Sequence, residues 1–139
     1  MGRGVTTVLQ NLVPIVDNGQ PAPDATYHDS QIWGATLGAN TVVARSGVGV
    51  TASGALVYVA GPALTARSLA ESLQRAGAVR AMTLDINPEW VTFNFFAHSA
   101  VNPLLVTPSK LYPQMQRPAN RYLGPTHESR DFFMVSTPA

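Results

Sequence analysis

The chain has 139 residues and 14.8 kDa, enough for one domain with its own core and too little for two comfortable ones. Hydrophobic residues make up 45% and charged residues only 12%, about half the charged share usual in soluble domains, so much of its surface is uncharged or buried against something. A net charge of +1 without a block of like charge argues against a nucleic-acid partner, and the absence of cysteine excludes disulfides and thiolate metal sites.

Met1-Gly-Arg-Gly-Val-Thr-Thr lacks the apolar run of a signal peptide, and no segment reaches the roughly 18 apolar residues of a membrane helix. The chain as written is therefore expected to be soluble, without membrane insertion and without an export signal. Thr6 to Val16 is apolar and β-branched around Pro14, reading as a short helix or turn into a strand at about Val13 to Val16. Asp17-Asn-Gly-Gln-Pro-Ala-Pro-Asp24 is dense in turn formers and reads as a loop. Trp33-Gly-Ala-Thr-Leu-Gly38 looks like a buried segment relieved by glycine.

Thr41 to Thr51 and Ala55 to Ala60 are strand-like runs around Thr51-Ala-Ser-Gly54, the best hairpin signal in the chain. Thr65 then stands where a helix N-cap belongs; Leu69, Ala70, Leu73 and Ala76 follow at one-face spacing, and Gly77 sits at C′. Val79 to Leu84 and Trp90 to Phe96 read as two further, almost continuously apolar and buried strands. Six of the eleven prolines fall from Pro103 onward, which predicts a tail wrapped across the domain and ending in a short strand at Phe132-Phe-Met-Val135. Hairpin, helix and strands together predict a single α+β domain over residues 1–139, a mixed sheet with one main helix packed on a face.

Asp85 follows a buried strand at its C-terminal end, where open α/β sheets commonly place ligands, and Glu89 lies four positions on across Ile86-Asn-Pro88. A turn there could gather both carboxylates in one cleft for acid–base work; equally, Asp85 could cap the turn by accepting backbone N–H bonds. Arg45 lies inside an apolar strand, where its fork suits a carboxylate or phosphate, an internal pair with Asp85, or a solvent-facing edge. Ser46 and Ser53 lack a Gly-x-Ser-x-Gly elbow, and His28, His98 and His127 stand without a second ligand at metal spacing, so neither a serine hydrolase nor a metal site is predicted. Trp33, Trp90, Phe93, Phe95 and Phe96 read as core, with one exposed member able to stack on a sugar; Arg117 and Arg121 could frame a cleft or form a solvated face.

Arg45-Ser-Gly-Val-Gly-Val-Thr-Ala-Ser-Gly-Ala-Leu-Val-Tyr-Val59 resembles the "PRTAIGVTADGRLVLV" segment of the phosphodiester glycosidase family, whose members include the enzyme that removes N-acetylglucosamine from a phosphodiester. Leu64 to Val79 resembles the family's "TLAELAELLLRLGAVDAL" helix, and Thr83-Leu-Asp-Ile-Asn-Pro-Glu-Trp90 occupies the place of its "LDGGGSST" signature. Ala76 to Val91, Met115 to Leu123 and Ser129 to Phe133 are similar to an actinobacterial branch of exported proteins with "AGAVRAMELDINPEWV" and a closing "LLPDMQRPANRYL…SRDFF", and Asp17-Asn-Gly-Gln-Pro21 to its "LVDNGQPVP" loop. The resemblance implies the C-terminal half of the family's domain, starting near its "GRWG" (compare Gly2-Arg-Gly4), in an extracytoplasmic or cell-envelope protein. It implies a hydrolase acting on a sugar-phosphodiester or related glycosidic linkage, with a carbohydrate or sugar-phosphate ligand and no cofactor. Asp85 and Glu89 would be catalytic, and Arg45, Ser46, Asn87, Trp90 and Arg117 would bind substrate. Ile86-Asn-Pro88 replaces the glycine triplet whose N–H groups approach the phosphodiester, so the alternative is a non-catalytic glycan-binding or self-assembling module. A half-domain with an open sheet edge also predicts a homo-oligomer.

Overall fold

The computed structural model describes residue 9 and residues 11–28, 32–34, 36, 38–125 and 131–136. Where a loop was expected after Val16, two short strands pair instead: β1 (Val16–Asp17) and β2 (Gln20–Pro21). The reason is the Asn18-Gly19 corner, held at φ +50° and +72°, the left-handed pair that a tight hairpin turn demands and that asparagine and glycine tolerate. Of the stretch Thr6 to Val16, residues 6–8 and 10 lie outside the described residues, as do Ala35 and Leu37 of the Trp33–Gly38 segment; residues 11–15 form neither helix nor strand, and of the strand expected at Val13 to Val16 only Val16 is one.

The predicted hairpin is present as β3 (Val43–Thr51) and β4 (Leu56–Leu64), turned at Gly54 with φ +87°. Helix α1 (Ala66–Arg75) begins with a capping box in which Thr65 Oγ1 accepts from the Ser68 N–H and Ser68 Oγ accepts from the Thr65 N–H. It ends at Gly77, whose φ of +91° suits a residue without a side chain. Strand β5 (Ala78–Thr83) then pairs antiparallel with β3, and the five-stranded order is β2-β1-β5-β3-β4. Because β3 is antiparallel to both β4 and β5, the β4–α1–β5 connection is a crossover that carries the helix over one face of the sheet.

That face holds the core. Leu69, Ala70 and Leu73 of α1 are fully buried together with Ile15, Val16 and Trp33. The helix comes this close because β3 presents glycine to it: a Cβ at Gly47 would stand 2.9 Å from Leu73 Cδ1. Burying each leucine contributes about 2–3 kcal/mol by area alone. The class is α+β with one main helix on a face, as the order of elements predicts.

Beyond β5 the expectations need correction. Trp90 to Phe93 is not strand: the N–H groups of Trp90 and Val91 turn back onto the Asn87 carbonyl at 2.8 and 3.0 Å, so extended pairing starts only at β6 (Asn94–His98). β6 is not buried either, with Phe95 50% and Phe96 41% exposed, and it pairs only with β7 (Val106–Lys110) in a separate two-stranded sheet. A short 3-10 helix, Ala119–Leu123, follows. Phe132–Val135 lies in no strand, and its side chains are largely exposed. On the sheet face opposite α1, Tyr58 of β4 meets Phe93, the ring centroids 4.8 Å apart.

Candidate functional site

The site is built at the C-terminal end of β5, where pairing with β3 outlasts the strand. Leu84 donates its N–H to the Ser46 carbonyl at 2.8 Å, and the Ser46 N–H and Oγ both donate to the Asp85 carbonyl, at 3.2 and 3.3 Å. Ser46 therefore fixes the main chain of Asp85. The side chain of Asp85 accepts the Asn87 N–H on Oδ1 at 2.7 Å, and Asn87 in turn accepts the Glu89 N–H on its own Oδ1 at 3.0 Å. Two linked Asx turns thus satisfy the Asn87 and Glu89 N–H groups locally. Asp85 is partly exposed, and its Oδ2 has no hydrogen bond to a described residue.

Glu89, Trp90 and Arg117 meet. The Arg117 guanidinium lies over the Trp90 ring with 3.7 Å to its centroid, and its Nη2 reaches Glu89 Oε2 at 3.4 Å. Arg117's side chain is 11% exposed and Glu89's 59%, so the cation is sheltered on the ring while the carboxylate stays in water. Such a guanidinium, planar and anchored, can offer an edge to an anionic oxygen.

Behind this turn stand residues that the sequence reading did not single out. Tyr58 donates its hydroxyl to the Thr92 carbonyl at 3.2 Å, and Tyr122 donates to Thr92 Oγ1 at 3.4 Å. Burial pushes the Tyr58 phenol up to about 12 despite an opposing hydrogen bond with Ser46 and with a smaller push from Tyr112. Only the strand alternation that puts Tyr58 on the same face as Ser46 and Val48 hinted at this, and alternation does not say what will cover that face.

Arg45 is not part of the cluster. It is fully buried on the helix side of the sheet, donating from Nη1 to the Trp33 carbonyl at 2.7 Å, from Nε to Leu64 at 3.1 Å and from Nη2 to Thr41 at 3.5 Å. Burial without a carboxylate lowers its pKa from the usual arginine value. Its described partners are main-chain carbonyls, so neither the Asp85 pair nor the solvent-facing edge is realised. Arg121 stands on the exposed 3-10 helix.

The replaced signature has a visible consequence. A Cβ on Gly34, at φ +96°, would stand 2.6 Å from Ile86 Cδ1, so the isoleucine side chain lies directly on that glycine's backbone. Nearby, Asn11 donates from Nδ2 to the Thr83 carbonyl at 3.0 Å and, with Leu12, Val13 and Ile32, lines an open cavity of ≈ 580 Å³. Leu12 holds φ +55°, a conformation branched side chains rarely adopt.

His98 Nδ1 meets the Pro103 carbonyl at 2.8 Å, His28 is exposed, and His127 lies outside the described residues. Among the described residues no group of three or more His, Cys, Asp or Glu could hold a metal, and no helix is long and apolar enough to cross a membrane.

Comparison with known proteins agrees with the local resemblances. A family model described as phosphodiester glycosidase matches residues 2–85, more than half of the 139-residue chain, and its match ends on Asp85. Neither a curated protein nor a solved structure matches. From the β3–β4 hairpin through α1 to the aspartate at the end of β5, the chain belongs to the phosphodiester glycosidase family.

Proposed function

We propose that this phosphodiester glycosidase-like domain binds a sugar-phosphodiester at the Asp85–Trp90 turn and hydrolyses its sugar–phosphate linkage, water entering to give the free sugar and a phosphomonoester. The observation that carries the reading is the placement of Asp85. It is the last residue of the family match, its main chain is fixed by Ser46, and one carboxylate oxygen is oriented by Asn87 while the other remains open. A carboxyl so held can give or take the proton of the scissile oxygen. Arg117, sheltered on Trp90, receives the phosphodiester charge, and Glu89 beside it steers the same guanidinium. Arg45 serves the reading by holding Trp33 and Leu64 in place, not by touching the anion.

The test is release of phosphomonoester from an N-acetylglucosamine-1-phosphodiester, followed by phosphorus NMR, with Asp85→Asn as the control. Turnover by the natural chain and its loss in D85N, with the melting temperature held, is the expected result. Equal turnover in both would remove Asp85 from the chemistry.

A second reading is favoured by Ile86 lying on Gly34: the side chain fills space next to the turn, which suits a domain that keeps the ligand and has given up hydrolysis. Under that reading the natural chain binds the diester without cleaving it, and replacing Ile86, Asn87 and Pro88 together by glycine starts cleavage.

A further inference from the structure

Among the described residues two features lack a strand partner, and they are complementary. The first is β4, nine residues long and the outer strand of the five-stranded sheet. Natural sheets usually guard such an edge with lysine, a bulge facing outward or a very short strand. β4 reads Leu-Val-Tyr-Val-Ala-Gly-Pro-Ala-Leu, has no charged residue, and begins with Leu56 at 69% exposure. Pro62 and the register irregularity between Gly61 and Leu64 blunt its far end, leaving Leu56–Ala60 as the regular open edge.

The second feature is Phe132-Phe-Met-Val135. Its composition is that of a strand, it lies in no helix, strand or turn, and residues 131–136 make no hydrogen bond to the other described residues. Its four side chains are 82%, 60%, 83% and 76% exposed, an unusual concentration of large apolar surface in four consecutive residues. A strand without a sheet stands on the same chain as a sheet edge without a strand.

We infer that Phe132–Val135 of one copy adds as a sixth strand, antiparallel or parallel, to the exposed edge of β4 in a second copy, so that the protein assembles by strand donation. Main-chain donors and acceptors on both sides are then satisfied, and alternate side chains of the donor fall on the two faces of the acceptor sheet. Neither segment brings a charge to the contact, so no like-charge pair opposes it. The occupant is a second copy because this chain's own segment stands apart from its own β4 in the folded molecule. Reciprocal exchange closes a two-fold dimer, whereas one-way donation would run on into a filament. The five-residue β6, with Phe95 and Phe96 exposed, is the competing acceptor; β4 is preferred for its nine-residue length.

The chain contains no cysteine, so disulfide trapping reads the contact directly. Met134→Cys in the full chain is mixed with single variants Val57→Cys, Tyr58→Cys, Val59→Cys and Ala60→Cys, each first shown to melt as the natural chain does, and oxidised at concentrations where light scattering gives the natural chain's mass. The expected result is a natural chain heavier than 14.8 kDa and a covalent dimer in the mixtures, strong at alternate β4 positions and weak between them. Charging the donor with Phe133→Asp plus Val135→Asp should return the chain to a folded monomer, with the natural circular dichroism spectrum and a melting temperature that no longer depends on concentration. Any of four outcomes overturns the proposal: a monomer at every concentration, M134C linking only to itself, linkage to Phe96→Cys on β6 in place of β4, or a link formed only within one chain when both cysteines are on it.

Discussion

The molecule divides physically between residues 43–85 and residues 86–125. The first region is a closed unit: hairpin, capped helix and crossover strand, with Leu69 and Leu73 pressed onto Gly47 of β3 and a buried arginine tying three carbonyls. The second meets the first through Tyr58, which bonds the Thr92 carbonyl and packs on Phe93, and is tied within itself by Phe93 N–H to Met115 Sδ at 3.4 Å, Lys110 Nζ to the Met115 carbonyl at 2.8 Å, and the Arg117–Trp90 stack. One region is made by burial and specifies the fold; the other is made by individual polar and aromatic ties and carries the surface at which we propose a ligand is met. The family match, which ends at Asp85, falls on the same divide.

Substitutions sharpen this contrast when ranked by size. Leu73→Ala removes a fully buried side chain in contact distance of the Gly47 backbone and should cost about 2–5 kcal/mol in urea unfolding, taking both regions down in one transition. Arg45→Met leaves the buried Trp33 and Leu64 carbonyls without their donor and should cost on the order of 2–3 kcal/mol. If R45M instead lost ligand binding with stability intact, Arg45 would belong to the anion site. Thr65→Ala dissolves the capping box and should cost about 1 kcal/mol, seen as a lower midpoint with an unchanged urea slope.

The second region answers to smaller energies and to alkali. The folded state holds Tyr58 at about 12, above the usual phenol value of 10. The folded chain therefore binds that proton more tightly than the unfolded chain does. The stability it carries is complete below pH 10 and falls as pH rises towards 12, and Tyr58→Phe should flatten that part of the pH–stability curve. Arg117→Lys keeps the charge but loses the planar stack; it should change stability by less than about 1 kcal/mol while weakening sugar-phosphodiester binding. A large loss of stability in R117K would mean that the stack is a fold element and not a binding one.

The first region was largely legible in the sequence because its signals are local. Thr65, the Leu69–Leu73 spacing and Gly77 mark one helix, and Thr51-Ala-Ser-Gly54 marks one turn. The second was not, because what shapes it is distant in sequence. Trp90 looked like strand until its N–H was seen to return to Asn87, and the stack with Arg117 joins residues that no spacing rule relates. The alternatives left open for Asp85 were settled only in part: it does accept the turn's N–H, and the same bond leaves its second oxygen open. Arg45 found a third solution, main-chain carbonyls, that residue type alone does not disclose. Phe132–Val135 has the composition of a strand, but composition does not supply a neighbour to pair with.

The claim that ligand is met at the Asp85–Trp90 turn is tested most directly by tryptophan fluorescence. The chain has two tryptophans, and Trp33 is fully buried, so Trp90 is the accessible reporter. Titration with an N-acetylglucosamine-1-phosphodiester should give a saturable change in the natural chain that disappears in Trp90→Phe, where Trp33 alone remains. A change that persists in W90F, or none in the natural chain at any concentration, would contradict the account.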